Sequence, residues 1–178
     1  MSLPKDFSVV AGLGTSTMNI NLNDRFNTAL TTRPATFDTS YKSMVSPHFA
    51  INKVINKHIS VYASYSTGFK APTSSYFYST TPAVTTPATP ATGSLNHLLS
   101  PEKGNQFELG TKGQLFNNKL TYELAYFSTV FSKKMTAISV VSPASPTTTL
   151  YTYVVNGGNQ WHKGIEAMLK YTLFESNS

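Results

Sequence analysis

The sequence has no cysteine, little charge and no long apolar run. Its 178 residues contain no Cys, which excludes a disulfide framework and a thiolate metal site. Charged residues make up only 12%, about half of the roughly 25% that is usual in globular domains. No apolar stretch approaches the ~20 residues that a transmembrane helix needs, and residues 1–6 lack the apolar core of a signal peptide. If this chain spans a membrane, it therefore does so with strands, and the missing signal then predicts a piece of a longer protein.

The positive charge is scattered and carries no recognisable chemistry. The net charge is +6, but the lysines form no patch or stripe of the kind that binds nucleic acid, so we expect no nucleic-acid partner. No nucleophile elbow or glycosidase-type pair of carboxylates is present, so the sequence predicts no enzyme. The four histidines have no metal-ligand spacing, and we expect neither a protein metal site nor a cofactor. These are His48, His58, His97 and His162.

The sequence is rich in side chains that favour sheets. It contains 10 Tyr and 11 Phe, and aromatic residues fit a pleated surface. Alternation of apolar and polar residues predicts an all-β chain of long antiparallel strands with almost no helix. Pro47 lies inside the second strand, where we expect a bulge or a locally unpaired position. The predicted strands are about 7–13, 39–52, 58–67, 105–116, 119–136 and 151–174, the last interrupted at 156–158.

The strand at 105–116 has two different faces. Phe107, Leu109 and Leu115 fall on one face. The opposite face carries Gln106, Glu108, Lys112 and Gln114. In a soluble sheet the apolar face would point inward, whereas in an outer-membrane barrel it meets lipid and the polar face lines the lumen.

The predicted connections alternate between long and short. Long ones cover about 15–37, 68–100 and 140–150, and short turns lie near 53–57 and 117–118. Outer-membrane barrels have this rhythm, with long loops outside and short turns in the periplasm. The stretch 79–93 is a low-complexity run of Pro, Thr and Ala, which predicts a mobile, solvated loop. Together with strands much longer than the usual five or so residues, the rhythm favours a transmembrane barrel.

Three segments carry motifs along the predicted strands. Val61–Pro72 is a tyrosine-rich strand that ends in Gly-Phe-Lys-Ala-Pro. Leu99–Gly110 contains Pro-Glu-x(5)-Glu-Leu-Gly. Asn156–Gly158 is an Asn-x-Gly motif, and Gly164–Glu166 reads Gly-Ile-Glu. In these motifs, whose order and spacing agree across residues 39–173, the chain resembles the TonB-dependent outer-membrane receptors, specifically the siderophore-receptor branch, whose own forms are Gly-Phe-Arg/Lys-Ala-Pro, Pro-Glu-x(5)-Glu-Leu-Gly, Asn-x-Gly and Gly-Val-Glu.

The resemblance implies a barrel of about 22 strands around a globular plug. It implies outer-membrane lipid around the wall, a ferric siderophore or similar chelate as ligand, and TonB acting through the plug. The iron would arrive inside its chelate and is not a cofactor of the protein. No plug or TonB-contacting box precedes the strands, and the end Phe174–Ser178 lacks the expected terminal aromatic. We therefore expect a slice of the C-terminal half of the barrel.

The candidate site residues lie in one loop and on the polar face. Tyr76, Phe77 and Tyr78 in the long loop are candidates for ligand binding, or for packing at the base of the loop. On the polar face, the alternation and the resemblance place Glu108, Lys112, Glu166 and Lys170 as lumen residues. There each carboxylate would pair with the nearby lysine or contact the plug or the passing ligand. Glu102 marks the start of a strand and is assigned no chemistry.

Two other architectures stay open at this stage. One is a secreted β-sandwich that acts as an adhesin or carbohydrate-binding module, which would be soluble without detergent. The other is a small closed pore of about eight strands, although the pattern gives only six, and an open sheet edge cannot lie in lipid. In isolation, the chain is expected to aggregate because two strand edges and an apolar face lack partners.

Overall fold

The computed structural model describes residues 2–3, 6–25, 34–81, 84–85, 88–89 and 92–173. The strands are β1 (Ser2–Leu3), β2 (Phe7–Asn23), β3 (Thr36–Asn56), β4 (Ile59–Lys70), β5 (Tyr78–Thr81), β6 (Val84–Thr85), β7 (Ala88–Thr89), β8 (Thr92–Leu95), β9 (Glu102–Leu115), β10 (Leu120–Ser132), β11 (Met135–Ser142), β12 (Ser145–Asn156) and β13 (Gln160–Tyr171), with one short helix, α1 (Ser74–Phe77). A seven-stranded sheet runs in the order β1–β2–β3–β4–β9–β10–β13, with every pair antiparallel. Its long strands have 12 to 21 residues, more than the ~9–11 that a tilted strand needs to cross a bilayer.

Three small ladders project from one end of this main sheet. β5 pairs with β8 and β6 with β7 between β4 and β9, while β11 pairs with β12 between β10 and β13. All three lie in the long connections, so the two ends of the sheet differ. Within the described ranges, no helix is long and apolar enough to cross a membrane.

The predicted alternation is confirmed across the whole main sheet. One cross-strand row reads Val9, Ile51, Ala63, Leu109, Tyr126 and Ile165. A row on the other side, three residues further along each strand, reads Gly12, His48, Ser66, Gln106, Thr129 and His162. We call the first side the apolar face and the second the polar face. Because side chains alternate along a strand, the register of every pair keeps these two faces separate.

The apolar face is not covered by any part of the chain that the structure describes. Leu13 is 71% exposed and Ile165 is 74% exposed, and other large apolar side chains of the same face are also open. The buried apolar residues in the described ranges are Met44, Phe77, Leu99 and Ala125. A soluble sandwich would bury its apolar rows against a second sheet. The exposed rows therefore contradict the sandwich interpretation.

The two short turns lie at the end of the sheet opposite the long connections. Lys119 N donates to Phe116 O at 3.2 Å, and the central Asn117 and Asn118 have φ of 54° and 68°. This confirms a turn centred on the Asn pair, because asparagine tolerates the left-handed backbone that tight hairpins require. The connection covers 116–119 rather than two residues, since the ladder ends at Leu115 and Leu120. The other turn lies at 57–58 instead of 53–57. β3 continues to Asn56, whose side-chain oxygen accepts a hydrogen bond from His58 N at 2.8 Å and so sets the turn.

The first long connection is shorter than predicted. β2 continues to Asn23 and β3 begins at Thr36, so 15–23 and 36–37 are strand rather than loop. The reason is that alternation persists past residue 15, with Met18, Ile20 and Leu22 separated by asparagines. Residues 26–33 of the predicted loop lie outside the described residues.

Pro47 is unpaired on the side of β4, as its missing N–H predicts. The β3–β4 ladder begins only at His48, whereas on the other side of β3 Pro47 is the partner of Leu13 in β2. Beyond this point β3 separates from β4. A proline at the end of a ladder removes no hydrogen bond from it.

The predicted fifth and sixth strands are each two strands in the structure. The fifth, 119–136, breaks after Ser132 because Lys133 adopts a φ of 56° and the chain leaves the sheet. The sixth, 151–174, breaks at 157–159, where Gly158 has a φ of 140°. The predicted loop at 140–150 is instead the outer half of the β11–β12 hairpin, and Phe174 lies outside the described residues.

The loop predicted at 68–100 also contains regular structure. β4 runs to Lys70, α1 follows, and the β5–β8 and β6–β7 ladders occupy much of the low-complexity stretch. Threonine and valine favour extended backbone, so local propensity forms short ladders without an apolar core. Residues 82–83, 86–87 and 90–91 of this stretch lie outside the described residues.

Candidate functional site

The centre of the polar face is organised around Tyr62. Its ring crosses over Gly110, where an added Cβ would lie 2.5 Å from a ring carbon. Tyr62 Oη lies 2.8 Å from Glu108 Oε1 and 3.2 Å from Glu123 Oε1. One hydroxyl hydrogen therefore serves two carboxylates, and Lys112 Nζ lies 5.6 Å from the centre of the same ring. The group combines two acids and one base on a sheet surface, which suits contact with a cationic or hydrogen-bonding partner.

The lumen residues of the sequence analysis lie on this same face. Glu108 and Lys112 flank Gly110 on β9, and Glu108 hydrogen-bonds to Tyr62. Glu166 and Lys170 lie on β13 opposite Ala125 and Thr121 and are exposed.

The second acid of the Tyr62 group was missed by sequence reasoning. Glu123 alternates with Tyr122 and Leu124, so the pattern of β10 contained the signal. The pattern could not show that the Tyr62 side chain of β4 extends across β9 as far as Glu123 of β10. Only the register of three strands brings Glu108 and Glu123 to one hydroxyl.

A second cluster lies where β4 and β9 meet the long connections, and it centres on Glu102. This residue is only 3% exposed. Its Oε1 accepts a hydrogen bond from Met135 N at 2.5 Å. Its Oε2 lies 3.6 Å from Lys134 Nζ and 4.0 Å from Lys70 Nζ. Glu102 thus joins the ends of β4 and β9 to the first residue of β11, a role that its sequence position did not suggest.

Asn156 joins two of the three family-like segments. Its side chain accepts from Ser100 N at 2.8 Å and donates to Ser100 O at 2.9 Å and Lys133 O at 2.7 Å. The adjoining loop is held by Tyr41 Oη, which donates to Leu99 O at 2.7 Å. Two of the segments that resemble the family are therefore hydrogen-bonded to each other at the end of the sheet.

The aromatic cluster of the long loop is divided between packing and exposure. Phe77 is fully buried and its ring lies 5.3 Å from that of Phe37, so it supports the loop and offers no surface to a ligand. Tyr76 and Tyr78 are half-buried, and a role for them in binding stays a prediction. Among the described residues, no group of His, Cys, Asp or Glu could hold a metal ion.

The comparisons with known proteins identify this architecture. Residues 1–177 match the family described as TonB dependent receptor-like, beta-barrel. The chain belongs to the TonB-dependent receptor family. The matched part is its β-barrel, so the main sheet is a segment of a transmembrane barrel wall with its apolar face toward lipid and its polar face toward the lumen.

Several relatives within this family are siderophore receptors. The chain is 30% identical over 113 residues to the ferripyoverdine receptor of Pseudomonas aeruginosa, which covers 64% of this chain and 12% of that protein. Its fold matches the structure of P. aeruginosa FpvA bound to a heterologous pyoverdine, with a TM-score of 0.61 and 19% identity over 98% of this chain and 19% of that one. It also matches the siderophore receptor PirA of P. aeruginosa, with a TM-score of 0.63 and 18% identity over 98% of this chain and 38% of that one. The chain thus spans well under half the length of these relatives.

Removing the Tyr62 hydroxyl is expected to lower barrel stability. In Tyr62→Phe both carboxylates lose a donor, and hydrogen bonds to charged groups are worth about 1.5–3 kcal/mol. Because the site is half-buried, we expect a loss near the lower end, about 1.5 kcal/mol. The measurement is urea unfolding of the complete receptor polypeptide in detergent micelles. Tyr126→Phe, on the lipid-facing side, is the matched control; equal midpoints for the two variants would contradict the role of Tyr62.

Proposed function

We propose that this chain forms part of the wall of an outer-membrane receptor that imports a ferric siderophore with energy supplied through TonB. The observation that carries the proposal is the uncovered apolar face backed by a continuous polar face in a chain of this receptor family. Similarity to the ferripyoverdine receptor supports an iron chelate as the ligand. The proposal assigns the chain no enzymatic chemistry, because binding and passage of a chelate need none.

The proposed orientation follows from the connections. The long ones, with the β5–β8 and β11–β12 hairpins, would face outside, and the turns at 57–58 and 116–119 would face the periplasm. Outer-membrane barrels have this asymmetry. The Tyr62 group, with Glu166 and Lys170 nearby on β13, would then line the lumen beside the plug through which TonB acts.

Iron-limited growth tests the proposal. A strain that lacks the gene for this receptor should lose growth on its ferric siderophore, and the complete gene should restore that growth only when TonB is functional. Uptake of ⁵⁵Fe-siderophore measures the same activity directly. Uptake that is equal with and without the gene, over a panel of ferric siderophores, would contradict the proposed function.

We further propose that Tyr76 and Tyr78 contact the chelate at the outer mouth. Both are half-buried beside the supporting Phe77, so their rings are positioned by a rigid base. An aromatic contact contributes about 1 kcal/mol beyond its buried area, so Tyr76→Ala should weaken chelate binding by about fivefold. Binding of the ferric chelate to whole cells at 0 °C, without transport, is the measurement. Tyr171→Ala, at the short-turn end, is the control; unchanged affinity in Tyr76→Ala would exclude this residue from the ligand contact.

A further inference from the structure

A recess of about 370 Å³ opens beside the point where β3 separates from β4. We call it the outer lysine recess. Its lining includes Lys42, Ser43, Phe69, Lys103, Ser132 and Lys133. It lies at the long-connection end of the sheet and is distinct from the Tyr62 group.

The recess opens on the lipid-facing side of the wall. Phe69, Lys103 and Ser132 form one cross-strand row. Phe69 and Lys103 lie an even number of residues along β4 and β9 from Tyr65 and Phe107, which belong to the apolar face. Since strand side chains alternate, all members of both rows point to the same side. This part of the recess therefore lies at the long-connection end of the apolar face, where the proposed orientation would place the lipid headgroups.

The charge of the recess is uniformly positive. Three lysines line it and no carboxylate does. Lys70 and Lys134, which belong to the same end of the sheet, are instead paired with Glu102. The nearby Asp38 of β3 accepts a hydrogen bond from Asn21 at 2.6 Å and is not a lining residue. The single negative charge of Glu102 is thus shared by two lysines on the polar face, and no acid among the described residues lines the recess.

The backbone that presents these lysines is held in an unusual shape. Ser43 has a φ of 58° and Lys133 a φ of 56°, the left-handed region that ordinary residues seldom occupy. Asn156 Nδ2 donates a hydrogen bond to the backbone oxygen of Lys133 at 2.7 Å. The register of the β2–β3 ladder shifts beside Ser43. Strained backbone of this kind persists where surrounding contacts enforce it, and it often marks a functional site.

We propose that the outer lysine recess binds a phosphate group of a phosphorylated lipid in the outer leaflet. Lysine ammonium groups act as point charges for phosphate, and each one close to an anionic headgroup strengthens binding. Phe69 supplies an apolar surface beside the charges, which suits an amphiphile better than a free anion. The proposal rests on the outer-membrane orientation of the proposed function.

Native mass spectrometry of the complete receptor, released from micelles that contain bisphosphorylated lipid A, tests this inference. The triple variant Lys42→Gln/Lys103→Gln/Lys133→Gln should retain the lipid about a hundredfold more weakly, because each lysine contributes roughly fivefold. The matched triple variant Lys53→Gln/Lys57→Gln/Lys119→Gln, at the short-turn end, should retain it as the unaltered receptor does. Dephosphorylated lipid A should bind the unaltered receptor weakly, and millimolar inorganic phosphate should not displace the phosphorylated lipid.

The inference would be overturned if the two triple variants retained phosphorylated lipid A equally. It would also be overturned if the unaltered receptor retained phosphorylated and dephosphorylated lipid A equally. Displacement by inorganic phosphate would overturn it too, because the site would then recognise a free anion. Ferric chelate uptake by the same variants separates this inference from the proposed function. If the receptor takes up a ferric chelate but retains lipid A regardless of its phosphates, only the lipid site is excluded. If it retains the phosphorylated lipid but takes up no chelate, only the transport role is contradicted.

Discussion

Gly113→Ala is expected to destabilise the barrel by about 3 kcal/mol, the upper end of the usual cost of overpacking. An added Cβ would lie 2.0 Å from the backbone oxygen of His58 and 2.9 Å from the ring of Tyr122. The carbonyl cannot simply move away, because it accepts a hydrogen bond from Gln114 N at 2.9 Å. The methyl group would therefore separate β4 from β9 beside the turn at 57–58.

Gly68→Ala is the matched control for this substitution. It lies in the same strand pair, opposite Gly104, and an added Cβ there meets nothing within 4 Å. We expect its unfolding midpoint in urea to equal or slightly exceed that of the unaltered receptor, because alanine restricts the unfolded chain. If the Gly113→Ala and Gly68→Ala receptors unfold at the same urea concentration, the close approach of His58 to Gly113 does not constrain the wall.

The second large effect is expected from Glu102→Ala, at about 2–3 kcal/mol of unfolding free energy. Most of this comes from Met135 N, which would lose a charged acceptor in a site that is almost closed to water. The ion pairs contribute less, because the Lys70 and Lys134 side chains are 60% and 36% exposed and solvent screens them. Since Met135 begins β11, the β11–β12 hairpin should loosen before the sheet does.

Limited proteolysis of the folded receptor measures that loosening. Cleavage within 135–156 should be faster in Glu102→Ala than in the unaltered receptor. Glu102→Gln, which keeps an oxygen acceptor for Met135 N, should recover most of the protection. Glu166→Ala, an exposed carboxylate of the same face, should have no effect; cleavage as slow in Glu102→Ala as in Glu166→Ala would show that Glu102 does not hold the hairpin.

Much of the wall could be predicted because its rule is local. Alternation of period two gave the faces of β4, β9 and β10, and the asparagine pair gave one turn. The predictions were wrong where the backbone leaves the sheet at Lys133, whereas the interruption predicted at 156–158 lies at 157–159. A left-handed φ at a lysine has no compositional signal, so one alternating run was taken for one strand.

The candidate sites were harder to predict because their members come from different strands. Glu108 was placed on the polar face from its own strand, but its partnership with Tyr62 and Glu123 depends on the register of three strands. Glu102 was assigned no chemistry because a Pro-Glu pair reads locally as the start of a strand. Lys70 lies before the long connection that precedes Glu102, and Lys134 and Met135 follow only after the β9–β10 hairpin, so these partners meet only in the folded sheet.

The order of the residues by itself determined which side chains share the apolar face and which share the polar face, because neighbouring side chains in extended backbone must point to opposite sides. It also determined the family resemblance, whose motifs fall on β4, on β9 and around the junction of β12 with β13. Only the tertiary structure decided that Lys70 and Lys134 share the carboxylate of Glu102, while no acid among the described residues lines the recess of Lys42, Lys103 and Lys133. The physical reason is that electrostatic pairing depends on distance in space, and the ladder register sets that distance between residues far apart in the chain.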